Sequence, residues 1–271
     1  MLQFDVIMPV HAGVRLSHLK AAVESISKQI ISPKEFIVSI DGPVTNEIND
    51  YLTVCENSKK IRLLRCHEQR GPGKARDEAI KISNSEWIAL MDSDDVSKPT
   101  RFKKQIEFIE KTHADVVGGN IEEFFKNPGD RKFQRVMPEK HEKIKRLVKW
   151  RQPVNHVTLM MKRDIYLAVG GYNHIYHVED YDLIVRLLAS GARFANQTET
   201  LVDVRCGENF SSKRHGMDYF RSEYAVIKQI NKLGLSSVPV SCICILTRLS
   251  IRMLPLKLIK VVYRIIRFVR V

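Results

Sequence analysis

Short apolar runs alternate with amphipathic stretches over residues 1–120. Runs rich in Val and Ile occupy Phe4–Val10, Glu35–Asp41, Ile61–Cys66, Trp87–Asp92 and Asp115–Gly119, each bounded by Pro, Gly or Asp, which predicts strands. Between them Leu16, Leu19, Val23, Ile26 and Ile30 step by three or four, and Phe102, Ile106 and Ile109 form one stripe of Arg101–Lys111, which predicts helices. Such alternation predicts an α/β fold with a mostly parallel sheet flanked by helices. Ligands of these sheets bind outside the carboxyl ends of the strands, which directs attention to Asp41 and Asp92–Asp95.

The rhythm changes after Asn120. A polar, basic helix is predicted over about Glu139–Trp150, a strand at His156–Met161, a break at Gly170-Gly171, a helix at Glu179–Ala189 and a strand at Glu199–Arg205. Beyond about Ser241 the chain is apolar and basic together. Arg248, Arg252, Lys260, Arg264 and Arg267 recur near the helical period, and Pro255 divides the stretch into two pieces.

Composition narrows the possibilities. With 44% hydrophobic and 28% charged residues in 271, the chain can bury a sizeable core and is no disordered tail. A net charge of +13 points to nucleic acid, an anionic membrane surface or a phosphorylated substrate. Its distribution matters more: the last acidic residue is Glu223, and nine Lys and Arg follow it. The body is only mildly basic and lacks an interleaved aromatic and basic stripe, so no nucleic-acid partner is expected. Two readings of the tail stand: attachment to a membrane surface through Ile251, Leu254, Leu258, Val262 and Ile266, with basic residues at the headgroups, or packing against the body.

The opening Met-Leu-Gln-Phe-Asp has neither a basic nor an apolar signal region, and the longest uncharged run, Leu233–Thr247, is broken by Gly, Ser and Pro. A cytoplasmic protein without a transmembrane helix is expected. Cys55, Cys66, Cys206, Cys242 and Cys244 form no C-x-x-C pair, which suits reduced thiols.

Three segments and two histidines carry candidate chemistry. Asp92 and Asp94 of Asp92-Ser93-Asp94-Asp95 point the same way at a strand end and can converge on a hard cation; alternatively the loop caps the next helix, with Asp95 or Ser97 as N-cap. Arg70-Gly71-Pro72-Gly73-Lys74 lacks the glycine spacing and Ser/Thr of a phosphate loop, yet it sets Lys74 and Arg76 at a helix start, as anion ligands or as solvated cations. Glu179-Asp180-Tyr181-Asp182 opens a helix, where acids complement the dipole and Asp182 can pair with Arg186, or where one carboxylate serves as a base. His156 and His215 are each either functional or simply hydrogen-bonded.

Together these segments resemble family 2 glycosyltransferases of the GT-A fold, over about residues 4–225. Val6-Ile-Met-Pro-Val resembles the family's opening strand, Ile40-Asp41-Gly42-Pro43 its Asp-Gly turn, Gly71-x-x-x-Ala75-Arg76 its phosphate-side helix, Met91-Asp-Ser-Asp-Asp its D-x-D motif, and Gly170-Gly171-Tyr172 with Glu179-Asp180-Tyr181-Asp182-Leu183 its acceptor-side motifs. His11-Ala12, Pro43 and Asp77 depart from the usual pattern. The chain is most similar to bacterial enzymes that extend O-antigen, capsule or amylovoran-type repeat units.

The resemblance implies a nucleotide-sugar-binding half at 1–120, an acceptor-binding half of the same domain at 121–223, and basic amphipathic C-terminal helices at 224–271. It implies donor contacts from Pro9, His11, Asp41 (uracil ring), Lys74, Arg76, Asp92 (ribose and metal) and Ser93. Asp94 and Asp92 would hold Mn²⁺ or Mg²⁺, Asp180 would be the general base beside Glu179, and His156, Gly171 and Tyr172 would line the acceptor side. Lys74, Arg76 and Arg214 would stabilise the departing diphosphate. The implied activity is an inverting, β-1,3-forming transfer of galactose or glucose from a UDP-hexose to a sugar on undecaprenyl diphosphate, at the inner face of the bacterial inner membrane. The alternative is a nucleotide-sugar-binding or membrane-scaffold protein that has lost catalysis.

Overall fold

A computed structural model of the chain describes residues 2–131, 133–173, 175, 177–207, 215–255 and 258. Strands β1 (Phe4–His11), β2 (Glu35–Asp41), β3 (Arg62–Cys66) and β4 (Trp87–Leu90) lie parallel in the order β3-β2-β1-β4. Helices α1 (Leu16–Ser27), α2 (Asn46–Asn57) and α3 (Pro72–Ile82) make the crossovers. β1 reads as a near-continuous apolar run because both of its faces are covered. Val6, Met8 and Val10 pack with Leu19, Val23 and Leu52 on one side, while Ile7 packs with Ala79, Ile80 and Ile184 on the other. Pro9 sits past the last residue that β4 pairs with β1, so its missing N–H costs the sheet nothing there.

The same sheet continues through β5 (Val96–Ser97), β6 (Val116–Phe124), β7 (Phe133–Arg135), β8 (Met160–Lys162) and β9 (Phe194–Arg205), in the order β4-β8-β6-β9-β5, with β7 on β6. β6 and β9 are parallel, whereas β8 runs antiparallel to both β4 and β6. Helices α4 (Arg101–Thr112), α5 (His141–Leu147), α6 (Arg163–Ala168) and α7 (Glu179–Ala189) complete this half.

Three local expectations change. His156–Thr158 is one 3₁₀ turn, and the strand begins only at Met160. The Asn155 carbonyl accepts both the Thr158 N–H at 2.9 Å and the Thr158 hydroxyl at 2.7 Å, a local bonding scheme that outcompetes the ladder. Neither Asp95 nor Ser97 caps α4. Ser97 pairs with Val202 in the sheet, which moves the helix start to Arg101 behind Thr100. The helix expected over 139–150 is regular only at His141–Leu147, because side chains from later helices take the carbonyls that follow. Tyr181 donates to Val148, Cys244 to Lys149 at 3.3 Å and Arg248 to Trp150 at 2.6 Å.

Helices α8 (Met217–Lys232) and α9 (Val238–Met253) pack against each other. Glu223 of α8 is buried and receives Arg248 and a two-pronged Arg252, whose Nε and Nη2 each lie 2.7 Å from a carboxylate oxygen. Arg248 and Arg252 therefore face inward, not toward a headgroup layer. Val238, Ile243, Leu246 and Met253 face outward. α9 ends just before Pro255, and the remaining tail positions Lys257, Lys260, Val262, Arg264, Ile266, Arg267 and Arg270 lie outside the described residues, as does Arg214. Among the described residues no helix is long and apolar enough to cross a membrane, and all five cysteines are free thiols.

Candidate active site

The carboxyl ends of β1, β2 and β4 bring His11, Asp41 and the Asp92 loop to one rim of the sheet. Asp41 is buried, and its carboxylate accepts the N–H groups of Arg70 at 2.7 Å and Gly71 at 3.0 Å. It thereby fixes the loop that aims the N-terminus of α3 at the rim and keeps lone pairs for a ligand. His11 is exposed and accepts the Gly13 N–H through Nδ1 at 2.9 Å. Lys74 turns to Asp77 at 3.5 Å. Arg76 turns inward and forms an ion pair with Asp92, while its buried Nε has no hydrogen-bond partner among the described residues.

The acidic loop is electrostatically unbalanced. Burial penalises the Asp92 carboxylate, but the groups facing it, Arg76 first with His156 and Arg101 behind, together outweigh that and hold the group below the usual carboxylate range. Burial and the Asp92 charge push Asp94 up. Burial, with Asp94 and Asp92 alongside, pushes Asp95 well up, although its Oδ1 accepts the Arg205 N–H at 2.8 Å. Ser93 is buried between these carboxylates. Asp94 is thus a carboxylate whose charged form is disfavoured until a cation approaches, which is the chemistry of a metal ligand. Among the described residues no group of three or more potential ligands gathers here. The donor set fits a hard cation held by two carboxylates and completed by ligand phosphates and water.

Across the rim lies the second set. His156 Nε2 is 2.7 Å from the Tyr172 hydroxyl, and the two rings meet edge to face. Burial, with the Arg76 charge behind it, pushes His156 down to about 4, so its imidazole is neutral at neutral pH. Glu179 and Asp180 open α7, where the helix dipole favours carboxylates, and Asp180 Oδ1 accepts the Tyr181 N–H at 2.7 Å. Burial and the neighbouring Asp180 push Glu179 up. Asp182 is separate: it is buried against Arg186 at 2.7 Å, the expected i,i+4 pair, with Asn173 at 2.9 Å.

Two glycines let these segments meet. A Cβ on Gly73 would lie 3.1 Å from Glu179 Cγ, so the absence of a side chain there lets α3 and α7 approach closely. Gly171 has φ of +67°, and a Cβ would lie 2.2 Å from Asp77 Oδ1 and 2.9 Å from the Tyr166 hydroxyl. Gly171→Ala is expected to cost at least about 1–3 kcal/mol for the backbone alone, to be read by urea denaturation.

The structure therefore gathers Arg76, Asp92, His156, Tyr172, Glu179 and Asp180 in one electrostatic neighbourhood, since Arg76 interacts with Asp92, Tyr172 and Glu179, and His156 with Asp92 and Asp180. Pro9, His11, Asp41 and Asp94 lie along the same strand-end rim as Asp92, and Lys74 is turned to Asp77. Two arginines under the acidic loop were not among the sequence candidates. Arg205 donates to the Asp94 carbonyl at 3.1 Å, and Arg101 is fully buried behind Leu90 and Met91. The available signal for Arg101 was a charged residue and Gln105 at helical spacing beside the apolar stripe of Phe102, Ile106 and Ile109.

The description "Glycosyl transferase family 2" belongs to the family model that matches residues 5–170, more than half of the chain. The chain is a family 2 glycosyltransferase. An uncharacterized glycosyltransferase of Haemophilus influenzae is 30% identical over 264 residues, covering 97% of this transferase and 98% of the relative. The UDP-Gal:alpha-D-GlcNAc-diphosphoundecaprenol beta-1,3-galactosyltransferase of Escherichia coli is 29% identical, covering 93% and 92%. Among solved structures, TarS 1–349 of S. aureus in complex with UDP-GlcNAc superposes with a TM-score of 0.67 at 18% identity, over 84% of the transferase and 66% of that chain. The mannosyltransferase PcManGT of Pyrobaculum calidifontis, in complex with GDP-Man and Mn²⁺, superposes with a TM-score of 0.64 at 12% identity, over 99% and 81%. These structural likenesses carry the fold, a mixed α/β sheet with flanking helices of the GT-A kind.

Proposed function

We propose that this transferase moves galactose or glucose from a UDP-sugar to a sugar on undecaprenyl diphosphate, with inversion, forming a β-1,3 linkage of a surface polysaccharide. The observation that carries it is the pair of carboxylate sets on one rim: Asp92 and Asp94 at the end of β4, Glu179 and Asp180 at the start of α7. The activity for which the E. coli relative is named supports the choice of donor and acceptor.

Asp41 contacts the uracil ring, with Pro9, His11 and Ser93 along the nucleoside. Asp92 and Asp94 are the residues that would hold Mn²⁺ or Mg²⁺, which when bound neutralises charge growing on the leaving diphosphate. Arg76 adds its Nε, which has no partner among the described residues, to that charge, and Lys74 can swing from Asp77 to join it. On the opposite side Asp180 accepts the proton of the attacking hydroxyl, which Glu179, neutral His156, Gly171 and Tyr172 place. One displacement then inverts the anomeric centre. The test is purified protein with a panel of UDP-sugars and a GlcNAc-diphosphate-lipid analogue, with and without EDTA, and NMR of the product. Turnover of UDP-galactose or UDP-glucose to a β-1,3 product, abolished by EDTA, is expected; no transfer from either donor overturns it.

The lipid-linked acceptor places the protein peripherally on an anionic membrane at the cytoplasmic face. Support comes from the outward apolar side of α9 together with exposed Lys143, Lys145 and Arg146 on α5, the helix whose trailing residues Lys149 and Trp150 accept from α9 side chains. Replacing Ile243, Leu246 and Met253 together by Ser is expected to lower partitioning onto anionic vesicles at least about tenfold, since each such side chain contributes about 1.5–3 kcal/mol on burial. Vesicle flotation reads this, and wild-type protein that never floats at moderate salt sinks the idea.

A further inference from the structure

The two sides of the site come from segments far apart in the chain, and two polar side chains of α4 join them from inside the core. Arg101 is wholly buried and donates from Nη2 to the Leu90 carbonyl at 2.8 Å and from Nε to Gln105 Oε1 at 3.0 Å, with Nη1 3.5 Å from Met91 Sδ. Gln105, also wholly buried, donates from Nε2 to the Thr158 carbonyl at 2.8 Å. The Leu90 N–H donates to the Leu159 carbonyl at 2.9 Å and closes the ring. This ring ties the strand end that carries Asp92 to the turn that carries His156.

A purely structural contact would not call for these residues. A buried guanidinium is costly, and an apolar side chain would pack α4 against the sheet without that cost. Burial pushes Arg101 down to about 9, with Asp92 and Asp95 supplying the opposing field. Its charge lies under the acidic loop, and its fork spans the Leu90 carbonyl at the end of β4 and Gln105 one turn on along α4, a pair of fixed directions that a point charge would not set.

We propose that Arg101 and Gln105 are positioning residues for glycosyl transfer, fixing Asp92 and Asp94 on the donor side at a set spacing from His156 and Tyr172 on the acceptor side. The inference rests on the donor and acceptor sides assigned under Proposed function, and not on which sugars occupy them. Reaction in line needs the hydroxyl and the anomeric carbon held within a fraction of an ångström of the productive geometry, and a misplacement near 1 Å costs up to about 10²-fold.

Gln105→Glu keeps an acceptor for Arg101 and pairs with its charge, but removes the N–H that holds Thr158. Arg101→Lys keeps the charge and loses the fork. Both variants are assayed with UDP-galactose, Mn²⁺ and the GlcNAc-diphosphate-lipid analogue, and by hydrogen exchange of the peptides spanning 90–95 and 155–159. Gln105→Glu is expected to lower kcat about 10- to 10²-fold with donor KM within about twofold, and to speed exchange at 155–159 alone. Arg101→Lys is expected to lower kcat similarly and to speed exchange in both peptides. A kcat within about twofold of wild type for Gln105→Glu, or unaltered exchange at 155–159, overturns the brace. Should wild-type protein transfer neither galactose nor glucose, the proposed function fails by itself, and the exchange measurement alone still decides the brace.

Discussion

Asp180→Asn is expected to lower turnover by about 10²–10⁴-fold while UDP binding persists, the loss typical of a removed general base. The substitution is nearly isosteric, and the side-chain oxygen of Asn can still accept the Tyr181 N–H that Asp180 accepts at 2.7 Å, so the first turn of α7 should survive. What disappears is the capacity to take a proton from a sugar hydroxyl. The donor side is anchored elsewhere, by Asp41 on the Arg70–Gly71 backbone and by Arg76 on Asp92. Steady-state kinetics with UDP calorimetry separate the two quantities. Glu179→Gln should cost less, because burial and the Asp180 charge already disfavour its ionised form. Turnover of Asp180→Asn within tenfold of wild type would remove Asp180 from the base role.

Asp94→Asn is expected to lose metal-dependent turnover by several kcal/mol, about 10³-fold, without a loss of fold stability. The physical basis is the imbalance of the acidic loop. Asp92 has Arg76 as a partner, whereas Asp94 is pushed up first by burial and then by Asp92. Removing the Asp94 charge relieves repulsion in the metal-free protein and deletes a cation ligand in the loaded one. Turnover against Mn²⁺ concentration and melting in EDTA are the paired readouts. Full activity in this variant, or wild-type activity indifferent to EDTA, would defeat the metal assignment.

Much of the fold was legible because local pattern and global burial agree. Glu35–Asp41 and Glu179–Ala189 fall at their expected bounds, since a buried parallel strand announces itself by a short continuous apolar run and an amphipathic helix by its period. The candidate carboxylates were legible from motif order. The misjudged segments are those where a tertiary partner decides. His156–Met161 has strand composition, yet Asn155 and Thr158 fold its first half into a turn. Arg248 and Arg252 looked like an address for anionic lipid because their partner, Glu223, lies a helix away and is the last acidic residue of the chain.

The sequence by itself determined the strand and helix alternation and the strand-end placement of Asp41 and Asp92, because these depend on period and spacing alone; the candidate residues for a diphosphate and a hydroxyl came from the resemblance of their motifs to a family. Tertiary structure decided which of them meet. Only packing shows Arg76 committed to Asp92, His156 kept neutral against Tyr172, Asp41 spent in part on its own loop, and Arg101 with Gln105 spanning the two sides. Each of these depends on burial and on partners from distant segments, and burial sets what a charge costs and which hydrogen bond it must make.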